Sequence, residues 1–175
     1  MRVFPVRGYQ CGASFVEFAV CMALLGIFAG VLLERALYYQ EYAEKTAMES
    51  TAENIRTGLR FRVADMILAN RLSEIPTLAD ENPMNWLAER PPNYLGELDS
   101  APADAPNGRW YFDKRNQELV YTVNNRRHFS PSIYRDFSVR YRAMRVSARA
   151  VTDSSPDFAG TWVSLVLVSE YGWFR

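Results

Sequence analysis

Cysteine and histidine are scarce in this sequence, and their scarcity excludes most metal and nucleophile chemistry. The 175 residues contain two cysteines, Cys11 and Cys21, and a single histidine, His128. The chain after Cys21 therefore cannot form an internal disulfide, and no histidine and cysteine spacing suits a metal site. We expect His128, which follows two arginines, to be a solvated loop residue. Because catalysis needs a positioned base, nucleophile or metal, the sequence predicts a protein that is not an enzyme and needs no cofactor or metal.

Net charge is also lacking, since 20 basic residues balance 20 acidic ones. A nucleic-acid-binding protein usually carries an excess of basic residues, so a nucleic-acid partner is not expected. The charges are nevertheless unevenly distributed. Residues 34–100 contain twelve acids and seven bases, whereas residues 101–152 contain four acids and ten bases. The first half after residue 33 is therefore acidic and the second half is basic.

One long apolar run stands out, from Ala13 to Leu33, in which Ser14 and Glu17 are the only polar side chains. At about 1.5 Å per helical residue, this run just spans a bilayer core of roughly 30 Å. The residues before it include two arginines and no acid. The excess of basic residues on the cytoplasmic side of membrane helices predicts that the chain after Leu33 is extracytoplasmic.

Glu17 lies inside this apolar run, where an ionised carboxylate costs about 2.5–3.5 kcal/mol on insertion scales. Such a group needs a partner, and the run contains no cation. Cleavage after Gly12 would free the amine of Ala13, about one helical turn from Glu17. Cleavage after Gly12 would therefore place a positively charged amine within reach of the Glu17 carboxylate.

The residues Gly12-Ala-Ser-Phe-Val-Glu17, followed by an apolar helix, resemble the class III signal of type IV pilins and type II secretion pseudopilins. The resemblance covers roughly the first quarter of the chain. It implies cleavage by prepilin peptidase between Gly12 and Ala13, N-methylation of Ala13, and a role for Glu17 in assembly. Two positions depart from the family pattern: Ala13 replaces the usual phenylalanine, and Glu34 stands where many members have a proline that kinks the helix.

This resemblance further implies a minor pilin or pseudopilin subunit that is assembled into a type IV pilus or a secretion pseudopilus. The expected location is the bacterial inner membrane, as a single-pass protein with a periplasmic C-terminal domain, or a cell-surface filament. The implied partners are other pilin subunits, the prepilin peptidase/methyltransferase, the pilus or secretion assembly platform and the membrane itself. Three alternatives stay open: a membrane-anchored adhesin, a DNA-uptake receptor of the pilin family, and a bitopic scaffold that does not polymerise.

The predicted organisation has five parts. They are a leader peptide (1–12), a transmembrane segment (13–33), the periplasmic part of the N-terminal helix (34–72), a loop-rich connection with a short helix (73–107) and an antiparallel sheet (108–175). Residues 34–70 contain no proline, and their apolar residues recur at three- and four-residue spacing, which predicts a helix continuous with the membrane segment. Two helices broken near Tyr38 and Tyr39 are the alternative. Glu41 and Glu44 are expected on a solvated face.

The second half of the chain predicts strands. Asn82 followed by Pro83 predicts a short capped helix, and an apolar period of two appears from Gly108 onward. The predicted strands cover 109–113, 118–123, 137–150 and 161–168, with a turn at 114–117, a bulge at 143–144 and the last strand in the centre. The fold class is therefore α+β, pilin-like, with the long helix packed on a four-stranded antiparallel sheet.

The segment from Trp86 to Tyr121 adds a finer resemblance. It contains the series Trp-Leu, Pro-Pro-x-Tyr-Leu-Gly, Gly-x-Trp-Tyr-Phe-Asp and Leu-Val-Tyr. This series resembles minor pilin-like proteins of mannose-sensitive haemagglutinin (MSHA) pilus systems.

Four arginines, Arg140, Arg142, Arg145 and Arg149, lie in one predicted strand. They are candidate subunit-contact residues, because a basic sheet on one subunit would attract the acidic helix of its neighbour. Alternatively, they are solvated or paired within the chain. A third interpretation makes them a DNA-binding stripe together with other arginines and tyrosines of this half.

Acidic residues also cluster in the loop-rich connection. Asp80, Glu81, Asp99 and Asp104 could supply oxygen ligands for calcium, but their spacing follows no ligand template. We therefore expect solvated acids rather than a calcium site.

Overall fold

The computed structural model describes residues 14–99, 106–130, 136–147, 161–168 and 170–174. The chain divides into two compact units, Met1–Gln40 and Glu41–Arg175. Within the described residues the regular elements are α1 (Phe15–Leu68), two 3₁₀ helices (Leu72–Asp80 and Pro83–Trp86) and the strands β1 (Tyr94–Leu98), β2 (Arg109–Asp113), β3 (Glu118–Thr122), β4 (Phe129–Ser130), β5 (Ser138–Ser147), β6 (Thr161–Leu167) and β7 (Gly172–Trp173). The α+β prediction is confirmed.

In the first unit, every described residue is exposed, including the apolar side chains from Phe15 to Leu33. In a water-soluble protein, a helix this apolar is normally buried, because removing apolar side chains from water is favourable. The helix is long and apolar enough to cross a membrane. It runs without interruption over 54 residues, so the alternative with a break near Tyr38 and Tyr39 is wrong.

The end of α1 is set by Asn70, which has a positive φ of 57°. The Arg71 N–H donates to the Met66 carbonyl at 2.8 Å, and the Asn70 N–H donates to the Ile67 carbonyl at 3.0 Å. These two bonds are those of a Schellman motif, in which a left-handed residue satisfies the last carbonyls of a helix. The helix therefore ends close to the predicted boundary.

In the second unit, the sheet has five strands in the order β1-β2-β3-β5-β6, and β4 pairs with β7 in a separate two-stranded sheet. β1 and β2 are parallel, and the other neighbours are antiparallel. The hairpin of β2 and β3 and its turn at 114–117 were predicted correctly. β1 was missed, because its Pro-Pro and glycine signals indicate a loop. The most hydrophobic predicted strand, β6, lies at an edge of the sheet rather than in its centre.

The predicted bulge at Ala143 and Met144 is wrong. β5 and β6 pair in regular register from Tyr141 to Ser147. Regular alternation leaves Met144 exposed and directs Arg145 toward the first 3₁₀ helix, where its Nε donates to the Pro76 carbonyl at 3.0 Å. The break in the apolar alternation at 143–144 therefore has another cause: Met144 is an apolar side chain that faces solvent, and Arg145 is a charged side chain with partners on the first 3₁₀ helix.

The core lies between one face of α1 and one face of the five-stranded sheet. The buried apolar residues of α1 recur at spacings of three and four, which places them on one side of a helix. They are Met48, Ala52, Ile55, Leu59, Val63 and Met66. They pack on alternate residues of the strands, which include Trp110, Phe112, Leu119, Tyr121, Val139 and Tyr141.

Gly58 allows the second 3₁₀ helix to approach α1 closely. A Cβ atom at Gly58 would lie 2.3 Å from the Trp86 carbonyl oxygen. The short helix itself was predicted, and its Asn82 side chain accepts a hydrogen bond from the Met84 N–H at 3.0 Å. This contact places Trp86 in the core.

Candidate functional site

The start of α1 is a capping box formed by Ser14 and Glu17. The Ser14 N–H donates to Glu17 Oε2 at 2.7 Å, and the Val16 N–H donates to Ser14 Oγ at 3.3 Å. The bond to Glu17 is that of a capping box at a Ser-x-x-Glu sequence, while the Ser14 hydroxyl caps the N–H of the second helical residue instead of the third. The sequence carried this signal. Glu17 thus already has a polar partner on its own chain, namely the first turn of its helix.

The other two residues of the predicted processing site, Gly12 and Ala13, lie outside the described residues. Glu17 itself is exposed, and the side chains that follow it on α1 as far as Leu33 are exposed as well. The carboxylate is therefore held at the N-terminal end of an uncovered apolar helix, where the helix dipole favours a negative charge.

The candidate subunit-contact arginines that are described each have an acidic partner within the chain. Glu118, only 2% exposed, accepts hydrogen bonds from Arg140 Nη1 at 3.2 Å and from Arg142 Nη2 at 2.5 Å. Arg140 Nη2 also donates to Asp136 Oδ2 at 2.5 Å. Burial favours loss of the Arg140 charge, but the two carboxylates outweigh burial and raise the pKa of the guanidinium.

Farther along β5, Arg145 forms an ion pair with Asp80, while Arg149 lies outside the described residues. Three of the four arginines are therefore used within the chain, as the intrachain alternative expects. Arg142 and Arg145 keep 40% and 51% of their side chains exposed. Contact with a neighbouring subunit through these two side chains stays a prediction.

A second polar cluster surrounds Glu41, which the sequence placed on a solvated face. That expectation is wrong, since Glu41 is only 2% exposed. Its Oε1 accepts from the His128 N–H at 2.8 Å and from the Trp173 indole at 3.1 Å, and its Oε2 lies 2.7 Å from His128 Nδ1. Glu41 thereby joins α1 to the loop before β4 and to β7.

The pKa of Glu41 follows from these contacts. Burial raises this pKa. The hydrogen bonds from His128 and Trp173 and the proximity of the imidazole together lower it by more than burial raises it, so the net pKa lies below the ordinary value of 4.5. His128 lies in a loop, as predicted, with 40% of its side chain exposed. It is not simply solvated, because the ring also stacks on Phe174 with centroids 5.2 Å apart.

Glu44, one helical turn later, holds the same loop at its other end. Its Oε1 accepts from the Asn124 N–H at 2.6 Å and from the Tyr121 hydroxyl at 3.1 Å. Its Oε2 accepts from the N–H and the side-chain amide of Asn125, both at 2.9 Å. Burial together with the nearby Glu44 charge raises the pKa of Tyr121. Two successive acids on α1 therefore fix the loop at 124–128.

No local sequence signal indicates this cluster. Glu41 is separated by 87 residues from His128 and by 132 from Trp173. The periodicity of α1 alone therefore assigns Glu41 to the polar face of the helix and gives no sign of these partners. The hydrogen bonds of the cluster hold the loop at 124–128 and β7 on α1. In the part of the chain that the structure describes, no group of three or more histidine, cysteine or acidic residues could hold a metal ion.

The loop acids considered for calcium have separate protein partners. Asp80 pairs with Arg145, and Asp99 pairs with Lys114 at 2.6 Å. Glu81 accepts a hydrogen bond from the Trp86 indole at 3.3 Å. Asp104 lies outside the described residues.

Comparison with known proteins finds no match to this chain among protein families, curated proteins or solved structures. The residues and their geometry support a coarse description: a protein with a membrane-capable apolar helix near its N-terminus, whose later part packs on a mostly antiparallel sheet.

Proposed function

We propose that this chain is a non-enzymatic pilin-like subunit, a minor pilin or pseudopilin. It is cut by prepilin peptidase after Gly12, methylated at Ala13 and assembled through its apolar helix into a type IV pilus or a secretion pseudopilus. Before assembly it is held in the bacterial inner membrane as a single-pass protein with a periplasmic C-terminal domain. A minor subunit of an MSHA-type pilus is the finer form of this proposal, based on the segment from Trp86 to Tyr121.

The observation that carries the proposal is the fully exposed apolar stretch of α1 with a single acid near its start. Side chains from Phe15 to Leu33 need a nonpolar environment, and either a bilayer or the same helices of neighbouring subunits would provide one. In an ordinary membrane anchor Glu17 would serve only as a cap of its own helix. A helix that moves from the membrane into a bundle of identical helices gains from an acid that pairs with a neighbour's amine.

The capping box suggests how Glu17 changes partners. In the single chain its carboxylate accepts the Ser14 N–H. In the assembly we infer that it accepts hydrogen bonds from the terminal amine of Ala13 on a neighbouring subunit. Both bonds are charge-assisted through the carboxylate, but only the amine brings an opposite charge to it. Pairing two charges also offsets the cost of removing both from water, and it sets the position of one helix along the next.

The arginines of β5 favour a structural role over a nucleic-acid interface. Arg140 is mostly buried, and its guanidinium is paired with Glu118 and Asp136. A phosphate contact at that position would have to break these pairs. This supports a filament subunit in preference to a DNA-uptake receptor.

The proposal predicts that removing only the charge of Glu17 is enough to prevent assembly. Glutamine also completes a capping box, so Glu17→Gln should preserve the helix start and membrane insertion yet remove the charge that pairs with a neighbour. We expect Glu17→Gln to be cleaved normally but to lose at least about 90% of its incorporation into sheared filaments or pseudopili, because the neighbour's amine would be left as an unpaired buried charge, which costs about 3–5 kcal/mol. Co-purification with the other pilin subunits measures this incorporation.

Two variants serve as controls. Glu17→Ala removes both the cap and the charge and should fail in the same way. Glu34→Gln, an acid just beyond the apolar stretch, should assemble normally. If Glu17→Gln were incorporated like the wild type while Glu17→Ala failed, Glu17 would be a helix cap only and the pairing mechanism would be wrong.

A further inference from the structure

Three consecutive exposed side chains, Leu37, Tyr38 and Tyr39, follow the apolar stretch of α1, and we call them the collar. Tyr38 is 39% exposed and Tyr39 is 65% exposed, and their rings meet edge to face with centroids 5.9 Å apart. A tyrosine ring is apolar, whereas its hydroxyl needs a hydrogen-bond partner wherever water is removed. The collar therefore combines an apolar surface with polar tips.

The collar surrounds the helix and does not lie along one side of it. Successive residues of an α-helix are about 100° apart around the axis, so Leu37 and Tyr39 point about 200° apart, with Tyr38 between them. Side chains that pack on a protein surface recur at spacings of three and four, as the buried residues of α1 in the second unit do. Apolar surface on several sides of a helix suits surroundings that are alike in all directions around the axis. A layer of a membrane provides such surroundings.

The position of the collar along α1 fits the thickness of a bilayer. A hydrocarbon core of roughly 30 Å takes about 20 helical residues. A core that begins at Phe15, the first residue of α1, ends near Arg35, and a core that begins three residues later ends near Tyr38. The headgroup layer adds about 5–7 Å on each side, which is about three to five further residues. Both cases place Tyr39 within this layer, and Tyr38 within it or at its inner edge.

We propose that the collar anchors α1 in the lipid headgroup layer on the periplasmic side of the membrane and so fixes the depth of the helix before assembly. Tyrosine suits this layer, where the ring meets the ends of the acyl chains and the hydroxyl bonds to lipid phosphate and ester oxygens. Arg35 stands at the end of the core, where the long stem of an arginine lets its charged group reach the same layer. The inference rests on the proposed function, because it concerns the membrane-spanning state of that subunit.

Nitroxide labelling of the full-length protein in lipid vesicles measures the depth of the collar. The protein carries Cys11→Ser and Cys21→Ser together with one new cysteine that holds the nitroxide, and the vesicles contain phosphatidylethanolamine and phosphatidylglycerol. Oxygen concentrates in the bilayer, whereas a water-soluble nickel complex is excluded from it. The ratio of their collision rates with the nitroxide therefore reports depth. Ile27→Cys is the lipid reference, and Ala47→Cys, at an exposed position of the second unit, is the water reference.

We expect nitroxides at Leu37→Cys and Gln40→Cys to give ratios between those of the two references, because the headgroup layer lies between lipid and water. Collision with the nickel complex at both positions as frequent as at Ala47→Cys would overturn the inference. A nitroxide that neither reagent reaches would overturn it as well, because the collar would then be covered by protein, such as a second copy of the chain.

Substitution of the tyrosines tests their role directly. Tyr38→Ser combined with Tyr39→Ser removes both rings, so the change from lipid to water should move toward Leu33 by about two residues, or 3 Å, because a small displacement of a helix in a bilayer costs little. Tyr38→Trp combined with Tyr39→Trp should leave the change in place, because tryptophan prefers the same layer.

Tyr42→Ala is the matched control for these variants. Tyr42 is exposed to a similar extent, but its ring packs on Phe174 in the second unit, with centroids 5.8 Å apart. We expect Tyr42→Ala to leave the depth of the Leu37→Cys nitroxide unchanged. An unchanged depth in the double serine variant, or an equal displacement in Tyr42→Ala, would show that the collar does not anchor the helix.

Failure of this inference is distinguishable from failure of the proposed function. If the Ile27→Cys nitroxide contacts lipid while the collar positions contact water, the chain spans the membrane without a tyrosine anchor, and only this inference is wrong. If the nickel complex also reaches the Ile27→Cys nitroxide, the helix does not enter the bilayer. The membrane-spanning state of the proposed function is then wrong together with the anchor.

Discussion

At the scale of single residues, the second unit depends on Glu41, a carboxylate buried on α1. It satisfies main-chain and side-chain donors from the loop before β4 and from β7. A buried carboxylate without partners would destabilise the fold by several kcal/mol, whereas one with several donors contributes to its stability. Glu41 therefore connects the helix to the C-terminal part of the chain.

The lowered pKa of Glu41 predicts a dependence of stability on pH. Because the folded pKa lies below the ordinary value of 4.5, the unfolded chain takes up the proton first as the pH falls. The contribution of Glu41 is thus complete above the unfolded pKa and is lost as the pH falls through the folded pKa. We expect the decrease in unfolding free energy between neutral and acidic pH to be smaller for Glu41→Gln, which has no titrating carboxyl, than for the wild type.

Urea unfolding of the full-length protein in detergent micelles measures this effect. The four tryptophans all lie in the second unit, so their fluorescence follows that unit. Glu53→Gln is the control, because Glu53 is 63% exposed and its ion pair with Arg56 should contribute little. An acid dependence as steep in Glu41→Gln as in Glu53→Gln would contradict the assignment.

At the scale of elements, Gly58 shows why α1 and the second 3₁₀ helix can pack so closely. In an exposed helix, replacing glycine with alanine usually stabilises by about 1 kcal/mol. Here the added Cβ would lie 2.3 Å from the Trp86 carbonyl oxygen. The backbone cannot yield as a flexible side chain can, so the contact must open.

We therefore expect Gly58→Ala to lower the free energy of unfolding by about 2 kcal/mol, the usual cost of overpacking. Thr57→Ala, an exposed neighbour on the same helix, should be neutral or slightly stabilising. Thermal unfolding followed by tryptophan fluorescence compares the two variants. A Gly58→Ala protein more stable than the wild type would show that the short helix does not approach α1 in this way.

The elements also show what the sequence could and could not predict. Local signals located the turn at 114–117, the cap at Asn82 and both ends of α1 to within a few residues. β1 could not be found, because it contains Gly96 with a φ of 101° and forms a parallel pair that depends on β2. The contacts of Glu41 and Glu44 join residues about eighty or more positions apart, so the apolar pattern of α1 could not predict them.

At the scale of the whole molecule, the chain combines an exposed apolar helix with a folded unit that contains its own core. Neither property alone defines a function. Together with Glu17 and the residues before it, they support a subunit that is stored in the membrane and then assembled. In that assembly Glu17 would set the position of each helix relative to the next.

The intact mass of the protein purified from its native membrane is the sharpest test of the proposed processing. We expect the mass of residues 13–175 plus one methyl group, and we expect Gly12→Leu to retain residues 1–12 because a bulky residue blocks the cut. A wild-type protein that retains residues 1–12 would be an ordinary membrane anchor, and the pilin-like proposal would be wrong.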